Sequence, residues 1–505
     1  MKKSEKENIS QNTSNGNYLM PAIIAITFIL SRFYYIFVAG IAFNDSTAGS
    51  FIHILDPSWL TGDLLNSIFY MHSQPPLFNF FTGIILKLGT FSKFTFAFLY
   101  LTMGLAIPVL IYSISENCGI SKKISGALAL FFILNPASVL YENILFYTYP
   151  MVFIMCAAAK VYQIFTISLN LKYLHLFFWL AGTICLTRSL FHILWFAAAV
   201  ILFIVLFKKN NISKKQILAG AAIPFVIVFS FYFKNYILFD RFTLSTWSGM
   251  NFAQIVIYGL APEERKFLIE TGCVSPAFEQ VPFELSHDQI DYSKFKKTGA
   301  AAADEPAYSS GVTNFNNTAF IKISENYMND SLKAVRYFPH AYVNGVFKAF
   351  CFYFLPAEEH FFHFDNLKKI EFIDRFWQRF ICGRIENKNW SQLYFNEYYF
   401  SNTAKIILNT PIFLLSACLL IIICSIITGF NKKKYDSGNE DIALKNKNMI
   451  LFLLLNIIYV TLAGNLMECG ENNRFRFMID PYYIVLAGIY IDKALNRPHS
   501  KHKKK

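Results

Sequence analysis

The stretch YLMPAIIAITFILSRFYYIFVAGIAF, residues 18–43, decides how the rest of this chain is interpreted. This apolar run is longer than the roughly 20 residues that cross about 30 Å of hydrocarbon. It follows a polar segment, 1–17, and it is too long for the apolar core of a signal peptide, with no small-residue cleavage site after it. We therefore predict that it is a retained first membrane span.

Similar apolar runs recur along all 505 residues. The chain is 54% hydrophobic and only 16% charged, and its mean hydropathy is +0.37, whereas soluble proteins carry roughly 25% charged residues. The sequence predicts an all-α polytopic membrane protein with ten spans, at 18–41, 94–114, 123–141, 150–169, 174–187, 190–207, 216–239, 406–429, 449–467 and 478–495.

The formal net charge of +13 is a topology signal. The cations lie in short clusters between the apolar runs, at Lys2 to Lys6, Lys122/Lys123, Lys172, Lys208 to Lys215, Lys432 to Lys447 and Arg497 to Lys505. All the clusters fall on one side of the ten-span arrangement, which the positive-inside rule assigns to the cytoplasm. We expect a cell-membrane protein with both termini in the cytoplasm. Because no single basic face exists, nucleic-acid binding is excluded.

The same arrangement divides the chain into five parts. These are a polar cytoplasmic tail (1–17), an N-terminal transmembrane core (18–239) with a first outer loop (42–75), an extracytoplasmic domain (240–405), C-terminal transmembrane helices (406–495) and a basic cytoplasmic tail (496–505). The domain is polar with repeated prolines, and we expect mixed secondary structure there. Within it, 337–355 is apolar enough to lie in the interface or to span, and both alternatives stay open. The run 75–88 is too short to span and is predicted to be an interfacial helix.

Four segments place polar or ionisable side chains on the outer side, where burying them costs about 2.5–3.5 kcal/mol each at a helix centre. The candidates are Asp45, Asp56, His72 and Gln74 in the first loop, Glu142 in NPASVLYENILFYTYP, Arg188 in CLTRSLFH, and Glu471, Arg474 and Arg476 in ECGENNRFRFMIDP. A carboxylate can act as a general base towards a hydroxyl, and arginine binds phosphate in bidentate fashion. The set favours transfer of a group from a lipid-linked phosphate.

These residues resemble the GT-C-fold glycosyltransferases that use polyprenyl-phosphate sugars, a superfamily that includes protein O-mannosyltransferases and the lipid A aminoarabinose transferase. The resemblance lies in an acid after the first span (Asp45), Gly62-Asp63, the loop-closing HSQPPLFN, an acid in the second outer loop (Glu142), KNYILFDRFTLSTWSGMN after the seventh span, and a late E-x-x-R-[FY]-R motif from Glu471 to Arg476. It covers 20–490 except for 260–400. One departure is Ser46, which stands where many members have a second acid, so Asp56 is an alternative catalytic carboxylate.

The resemblance implies a division of labour among the candidates. Asp45 would be the general base that deprotonates the acceptor, and Arg474 and Arg476, with Arg188, would hold the donor phosphate. Glu142 would position the acceptor or a divalent cation, so the metal requirement stays open. His72 and Gln74 would line the donor-sugar site, and the aromatic-rich 240–405 segment would cover it.

The expected function is therefore that of an integral-membrane glycosyltransferase with a polyprenyl-phosphate sugar donor and a lipid, glycan or protein acceptor in the cell envelope. Two alternatives remain: a polysaccharide ligase or polymerase with a diphosphate-linked donor, and a transporter of lipid-linked sugars. The transporter is less consistent with the sequence because charges within the predicted spans are few, chiefly Lys160. For Asp63, a helix cap is the simpler expectation.

Overall fold

The computed structural model describes residues 2–208, 212–384, 411–430 and 440–496, and within these ranges the protein is helical with no β-strand. The N-terminal part contains α1 (Lys2–Phe33), α2 (Pro57–Gly62), α3 (Leu64–Phe69), α4 (Leu77–Leu86), α5 (Ser92–Asn117), α6 (Lys122–Leu134), α7 (Pro136–Glu142), α8 (Thr148–Ser168), α9 (Leu171–Thr187), α10 (Ile193–Leu206) and α11 (Lys214–Phe239). A π-helical turn, Tyr34–Val38, extends α1.

The remaining helices belong to a middle segment and a C-terminal part. They are α12 (Ser248–Gly259), α13 (Pro262–Glu270), α14 (Ala301–Asp304), α15 (Ala319–Tyr337), α16 (Pro339–Tyr353), α17 (Phe364–Lys369), α18 (Glu371–Phe376), α19 (Ile412–Phe430), α20 (Glu440–Met467) and α21 (Asn472–Leu495). Short 3₁₀ turns and a π-helical turn, Trp377–Cys382, complete the middle segment. The expectation of mixed secondary structure is wrong for its described residues, 240–384, which are helical.

Five helical segments are long and apolar enough to cross a membrane, at Tyr18–Val38, Gly89–Asn117, Thr148–Ser168, Lys214–Phe239 and Asn446–Met467. A sixth is formed if α6 and α7, which meet at 58°, make one broken span. Three further predicted spans correspond to shorter apolar helices, Leu171–Thr187, Ile193–Leu206 and Ile412–Thr428. The protein is thus a helical membrane protein. The tenth predicted span lies in α21, which is not among these possible spans and carries charged residues near both of its ends.

Other boundaries are settled by helix length and packing. The run 75–88 forms the ten-residue α4, which is too short to span. The stretch 337–355 begins at the last residue of α15 and consists mainly of the 15-residue α16, and neither helix is among the possible spans. The tail 1–17 is continuous with α1 from Lys2. Parts of the predicted domain (385–405), of the eighth span (406–410) and of the basic tail (497–505) lie outside the described residues.

The break between α6 and α7 follows from Asn135-Pro136. Proline disfavours the helical conformation in the residue before it, and Asn135 is extended, with φ −65° and ψ 121°. Its side-chain oxygen then accepts a hydrogen bond from Ala137 N at 2.9 Å, which caps α7. The bend redirects the chain so that residues 143–147 run beneath the first loop.

The loops 42–56, 143–147, 188–192 and 468–471 meet at one end of the bundle, which we call the loop end. There Asn44 N donates to Asn143 O, and Leu145 N donates to Asn44 O, both at 2.8 Å. Opposite, Ser121 N donates to an Asp492 side-chain oxygen at 3.0 Å. The predicted grouping of the four polar segments on one side of the bundle is therefore present in the fold.

The middle segment covers the loop end, with α12 packed between α15 and α16. The contact between α12 and α16 requires glycine on both helices. A Cβ on Gly259 would lie 1.7 Å from Ala341 O, and a Cβ on Gly345 would lie 2.1 Å from Ile255 O. The two backbones therefore touch directly, and α12 is held at a fixed position over the loops.

Candidate functional site

A cavity of about 260 Å³ lies at the loop end, beneath α12. Loops of the bundle form its base and α12 with the following 3₁₀ turns forms its wall. Its lining consists of residues 50–53, Gln74, Arg188, Ser189, Trp247, Asn251, Gln254, Tyr258, Val281, Phe283, Glu284, Glu468, Gly470 and Glu471. Three of the predicted site residues, Gln74, Arg188 and Glu471, thus come together from distant parts of the chain.

Two buried arginines form the cationic part of the site. Arg188 directly follows α9, and Arg474 lies in the first turn of α21. Both donate hydrogen bonds to the hydroxyl of Tyr147, Arg474 at 2.5 Å. The Nε–H groups of both arginines have no hydrogen-bond partner among the described residues. Buried guanidinium donors that the described residues leave unsatisfied thus lie at the cavity lining in Arg188 and directly behind it in Arg474.

Aromatic rings hold the two guanidinium groups in place. Arg188 lies 5.0 Å from the centroid of Tyr147 and 4.8 Å from that of Phe475, and Arg474 lies 4.9 Å from that of Phe146. The negative face of each ring stabilises the cation with no formal negative charge. The ring contacts thus orient both guanidinium groups.

Two carboxylates face the cavity in front of the arginines. Glu468 lies 3.3 Å from Arg188, and Glu471 pairs with Arg474. Glu471 also lies 3.1 Å from His360 Nε2. About a fifth of each glutamate side chain remains exposed, unlike the arginines behind them. The carboxylates are therefore accessible to a molecule in the cavity.

His53 lines the cavity, although no sequence pattern pointed to it. Its ring is buried, stacks on Phe51 at 4.7 Å and has no hydrogen-bond partner for Nδ1 among the described residues. Burial, followed by the positive charges of Arg474 and Arg188, holds the pKa of His53 well below its usual value. The imidazole is neutral at physiological pH and can donate or accept one hydrogen bond in the cavity.

The two first-loop acids lie away from this lining. Asp45 is partly exposed and pairs with Lys93 at 3.1 Å on the surface. Asp56 is buried and caps α2, accepting from Ser58 N at 2.7 Å and Ser309 N at 2.5 Å. Burial alone would raise the pKa of Asp56, but these hydrogen bonds outweigh burial and lower that pKa. Asp56 joins the first loop to the middle segment, and Asp63 caps α3 as expected.

His72 also serves as a connection between segments. Its Nδ1 lies 2.9 Å from Thr246 Oγ1, and its backbone N donates to Asn316 at 2.9 Å. Burial, with nearby Lys234, lowers the pKa of His72 to about 3. His72 is outside the cavity lining, whereas Gln74, two residues later, is part of it.

Glu142 lies inside the bundle rather than at the cavity. It forms a buried bidentate ion pair with Arg32, with N–O distances of 3.0 Å, and accepts a hydrogen bond from Tyr149 at 3.1 Å. The carboxylate fits against Gly104, where a Cβ would lie 2.1 Å from Glu142 Oε2. The sequence carried a signal for this pair, since each residue is the sole charge in its apolar segment.

Arg476 is likewise committed to neighbours outside the cavity. Its Nε lies 3.2 Å from Asp480, and its Nη1 donates to the carbonyls of Tyr353 and Leu355 at 3.0 and 2.8 Å. These bonds tie the end of α16 to α21. The two arginines of the E-x-x-R-[FY]-R motif thus have different surroundings: Arg474 lies behind the cavity against Glu471, and Arg476 lies at a helix contact.

A further acidic and histidine-rich segment, PAEEHFFHFD at 356–365, packs behind the cavity. His360 contacts Glu471, His363 lies against the ring of Tyr141, and Glu359 pairs with Arg384. Burial, partly offset by Arg384, raises the pKa of Glu359 to about 7. The signal for this segment was its two glutamates and two histidines within six residues of an aromatic stretch.

No group of three or more His, Cys, Asp or Glu side chains is arranged to hold a metal ion within the described ranges. The sequence-based hypothesis places a divalent cation at Glu142. Among the described residues no cluster of metal ligands surrounds Glu142, which pairs with Arg32 instead. No family model, curated protein or solved structure matches this chain.

Proposed function

We propose that the protein is an integral-membrane glycosyltransferase that moves a sugar from a polyprenyl-phosphate donor to a lipid, glycan or protein acceptor of the cell envelope. The observation that carries the proposal is that Arg188 lines one cavity together with the partly exposed carboxylates of Glu468 and Glu471, with the buried Arg474 directly behind Glu471. This combination suits a reaction in which a phosphate leaves and a hydroxyl or amine loses a proton.

In this proposal the arginines stabilise the donor phosphate as the bond from its oxygen to the sugar's anomeric carbon breaks. Donors that are fixed and partly desolvated before the reaction are the most effective, because they need not reorganise as the charge develops. The aromatic contacts of Arg188 and Arg474 meet that condition. The phosphate departs with the electrons of the broken bond, and the acceptor's oxygen or nitrogen forms the new bond to the anomeric carbon.

The base is assigned by access to the cavity. The resemblance implies Asp45, but the Asp45 carboxylate pairs with Lys93 outside the lining. Glu471 lines the cavity next to the arginines. We therefore propose Glu471 as the residue that accepts the acceptor's proton, with Asp45 as the competing assignment.

The wall of the cavity supports sugar binding. Asn251, Gln254 and Tyr258 follow one another at helical spacing along α12, next to Trp247. Amide groups can bond sugar hydroxyls, and aromatic faces cover their apolar sides. A lipid-carried donor also agrees with a cavity at the end of apolar helices.

The proposal includes a topology. With α6 and α7 counted as one broken span, the six possible spans, the three shorter apolar helices and α21 make ten crossings, with both termini in the cytoplasm and the loop end outside the cell membrane. The positive charges of the short connections support this orientation. The donor would then be used on the outer surface, where nucleotide sugars are absent.

Comparing the surface glycans and lipids of cells that have or lack the protein tests the function. Mass spectrometry should detect one species that loses a single sugar mass when the gene is deleted. The wild-type gene should restore that mass, the Arg188→Gln/Arg474→Gln variant should not, and exposed Arg336→Gln should. An unchanged profile in the deletion strain, with the protein normally produced in the parent, would contradict the proposal.

A further inference from the structure

A second cavity, of about 430 Å³, lies at the loop-end terminus of α11, apart from the first. One side is formed by Leu238 and Phe239, the last residues of α11, together with Tyr70. Because α11 is one of the helices able to cross a membrane, this cavity is at the level where a span leaves the bilayer.

The other side of the cavity is strongly basic. Four cations, Arg241, Lys296, Lys297 and Lys322, line it against one carboxylate, Glu325. Glu325 pairs with Arg241 at 3.2 Å and with Lys322 at 3.0 Å. Within the part of the chain that the structure describes, Lys296 and Lys297 form no ion pair. The cavity therefore carries an excess of positive charge.

An exposed apolar surface adjoins these cations. Tyr236 and Ile237 of α11 are exposed by 51% and 64%, Phe242 by 47%, and Phe69 by 48%. Large side chains grouped in this way next to a membrane span are expected to contact lipid chains. An apolar surface below and a basic cavity above match the two halves of an anionic lipid.

We propose that this basic cavity binds the phosphate of an anionic membrane lipid at the outer surface of the bilayer. Arg241, Lys296 and Lys297 contact the headgroup phosphate, while the acyl chains lie along Tyr236, Ile237 and Phe242. A cation close to a charged membrane surface attracts anionic lipid, and several together act additively. The inference does not depend on the proposed glycosyl transfer, because none of these residues lines the first cavity.

Native mass spectrometry of the detergent-solubilised full chain measures this binding directly. Short-chain phosphatidylglycerol is titrated against short-chain phosphatidylcholine of equal chain length. We expect the wild type to bind the anionic lipid at least about 10-fold more tightly. The variant Arg241→Gln/Lys296→Gln/Lys297→Gln should lower that affinity to the level of phosphatidylcholine, and added salt should weaken wild-type binding.

A matched variant, Lys266→Gln/Lys333→Gln/Arg336→Gln, removes the same charge from exposed positions of the same segment and should keep wild-type affinity. Equal binding of the two lipids by the wild type, or equal losses in both triple variants, would overturn the proposal. Inorganic phosphate is the third probe. If it binds as tightly as phosphatidylglycerol and competes with it, the cavity is a site for free phosphate and the lipid assignment fails.

Discussion

Arg188 and Arg474, which come from different helices, donate hydrogen bonds to one and the same hydroxyl, that of Tyr147. Two guanidinium groups would normally repel each other at such proximity. Here Tyr147 bridges them, Glu468 and Glu471 lie in front, and both cations remain buried. The two cations and the two carboxylates balance in formal charge, so an anionic group of a substrate would compete with the glutamates for the guanidinium donors.

Replacing either arginine should therefore impair the proposed reaction. We expect Arg188→Gln and Arg474→Gln each to reduce turnover about 10²–10³-fold, because a fixed donor to the leaving phosphate is lost. Because both bond to Tyr147, the double variant should lose less than the product of the two, with a coupling of about 0.5–3 kcal/mol. Turnover of a reconstituted sample, with Arg336→Gln as the control, measures this. Strict multiplicativity would contradict a shared role.

Glu471→Gln and Asp45→Asn together identify the base. We expect Glu471→Gln to lower turnover about 10²–10⁴-fold, because the amide cannot accept the acceptor's proton. Asp45→Asn should stay within about threefold of the wild type, since it breaks only a surface ion pair. Sugar transfer by both purified variants is compared at equal folded amount. The reverse ranking would move the base to Asp45, as the family resemblance implies.

The Arg32–Glu142 pair should matter for stability. Either single variant, Arg32→Met or Glu142→Leu, leaves a buried charge without its partner and should cost about 3–5 kcal/mol. The double variant removes both charges and should recover most of that loss. Thermal unfolding in detergent measures the three variants. If the double variant were as unstable as the sum of the singles, the ion pair itself would not be the cause.

His72 should make folding sensitive to acid. Its folded pKa of about 3 is below its unfolded value of 6.5, so the stabilisation is complete above pH 6.5 and is lost as the pH falls towards 3. Between pH 6.5 and 5 the loss should be about 2 kcal/mol, since one pKa unit corresponds to about 1.4 kcal/mol.

The comparison of His72→Gln with the wild type between pH 7 and 5 tests this. Unfolding temperature should decline less steeply with falling pH in the variant. His340→Gln is the control, because His340 is half exposed on α16, and it should retain the wild-type slope. Parallel curves for His72→Gln and the wild type would assign the acid sensitivity to other buried histidines, such as His53.

The sequence predicted the location of the site well, but it predicted the individual residues of the site less well. Apolar runs and loop charges predicted a helical membrane protein with its polar loops on one side, and the loops carrying Gln74, Arg188 and Glu471 do meet there. Asp45, His72 and Arg476 belong to the right loops but point to other partners. The sequence predicts at which end of a helix a residue lies. The contacts of that residue's side chain depend on how segments far apart in the sequence pack together.

The residues that the sequence missed illustrate the same limit. His53 and the 356–365 segment reach the site through the packing of the middle segment, for which no pattern indicated an arrangement. Arg32 is a lone cation in an apolar run, but the sequence does not show that it pairs with Glu142. That pairing depends on the bend between α6 and α7 at Asn135-Pro136. The number of ten spans stays a prediction, because α9, α10 and α19 are shorter apolar helices than the five that are long enough to cross a membrane.

The glycine contact between α12 and α16 has a consequence for how substrate preference can change over time. Because the backbones already touch at Gly259 and Gly345, α12 and α16 cannot come closer together or carry larger residues at the crossing. Diversification among relatives should therefore proceed by exchanging Asn251, Gln254 and Tyr258 on an immobile frame, while both glycines are kept.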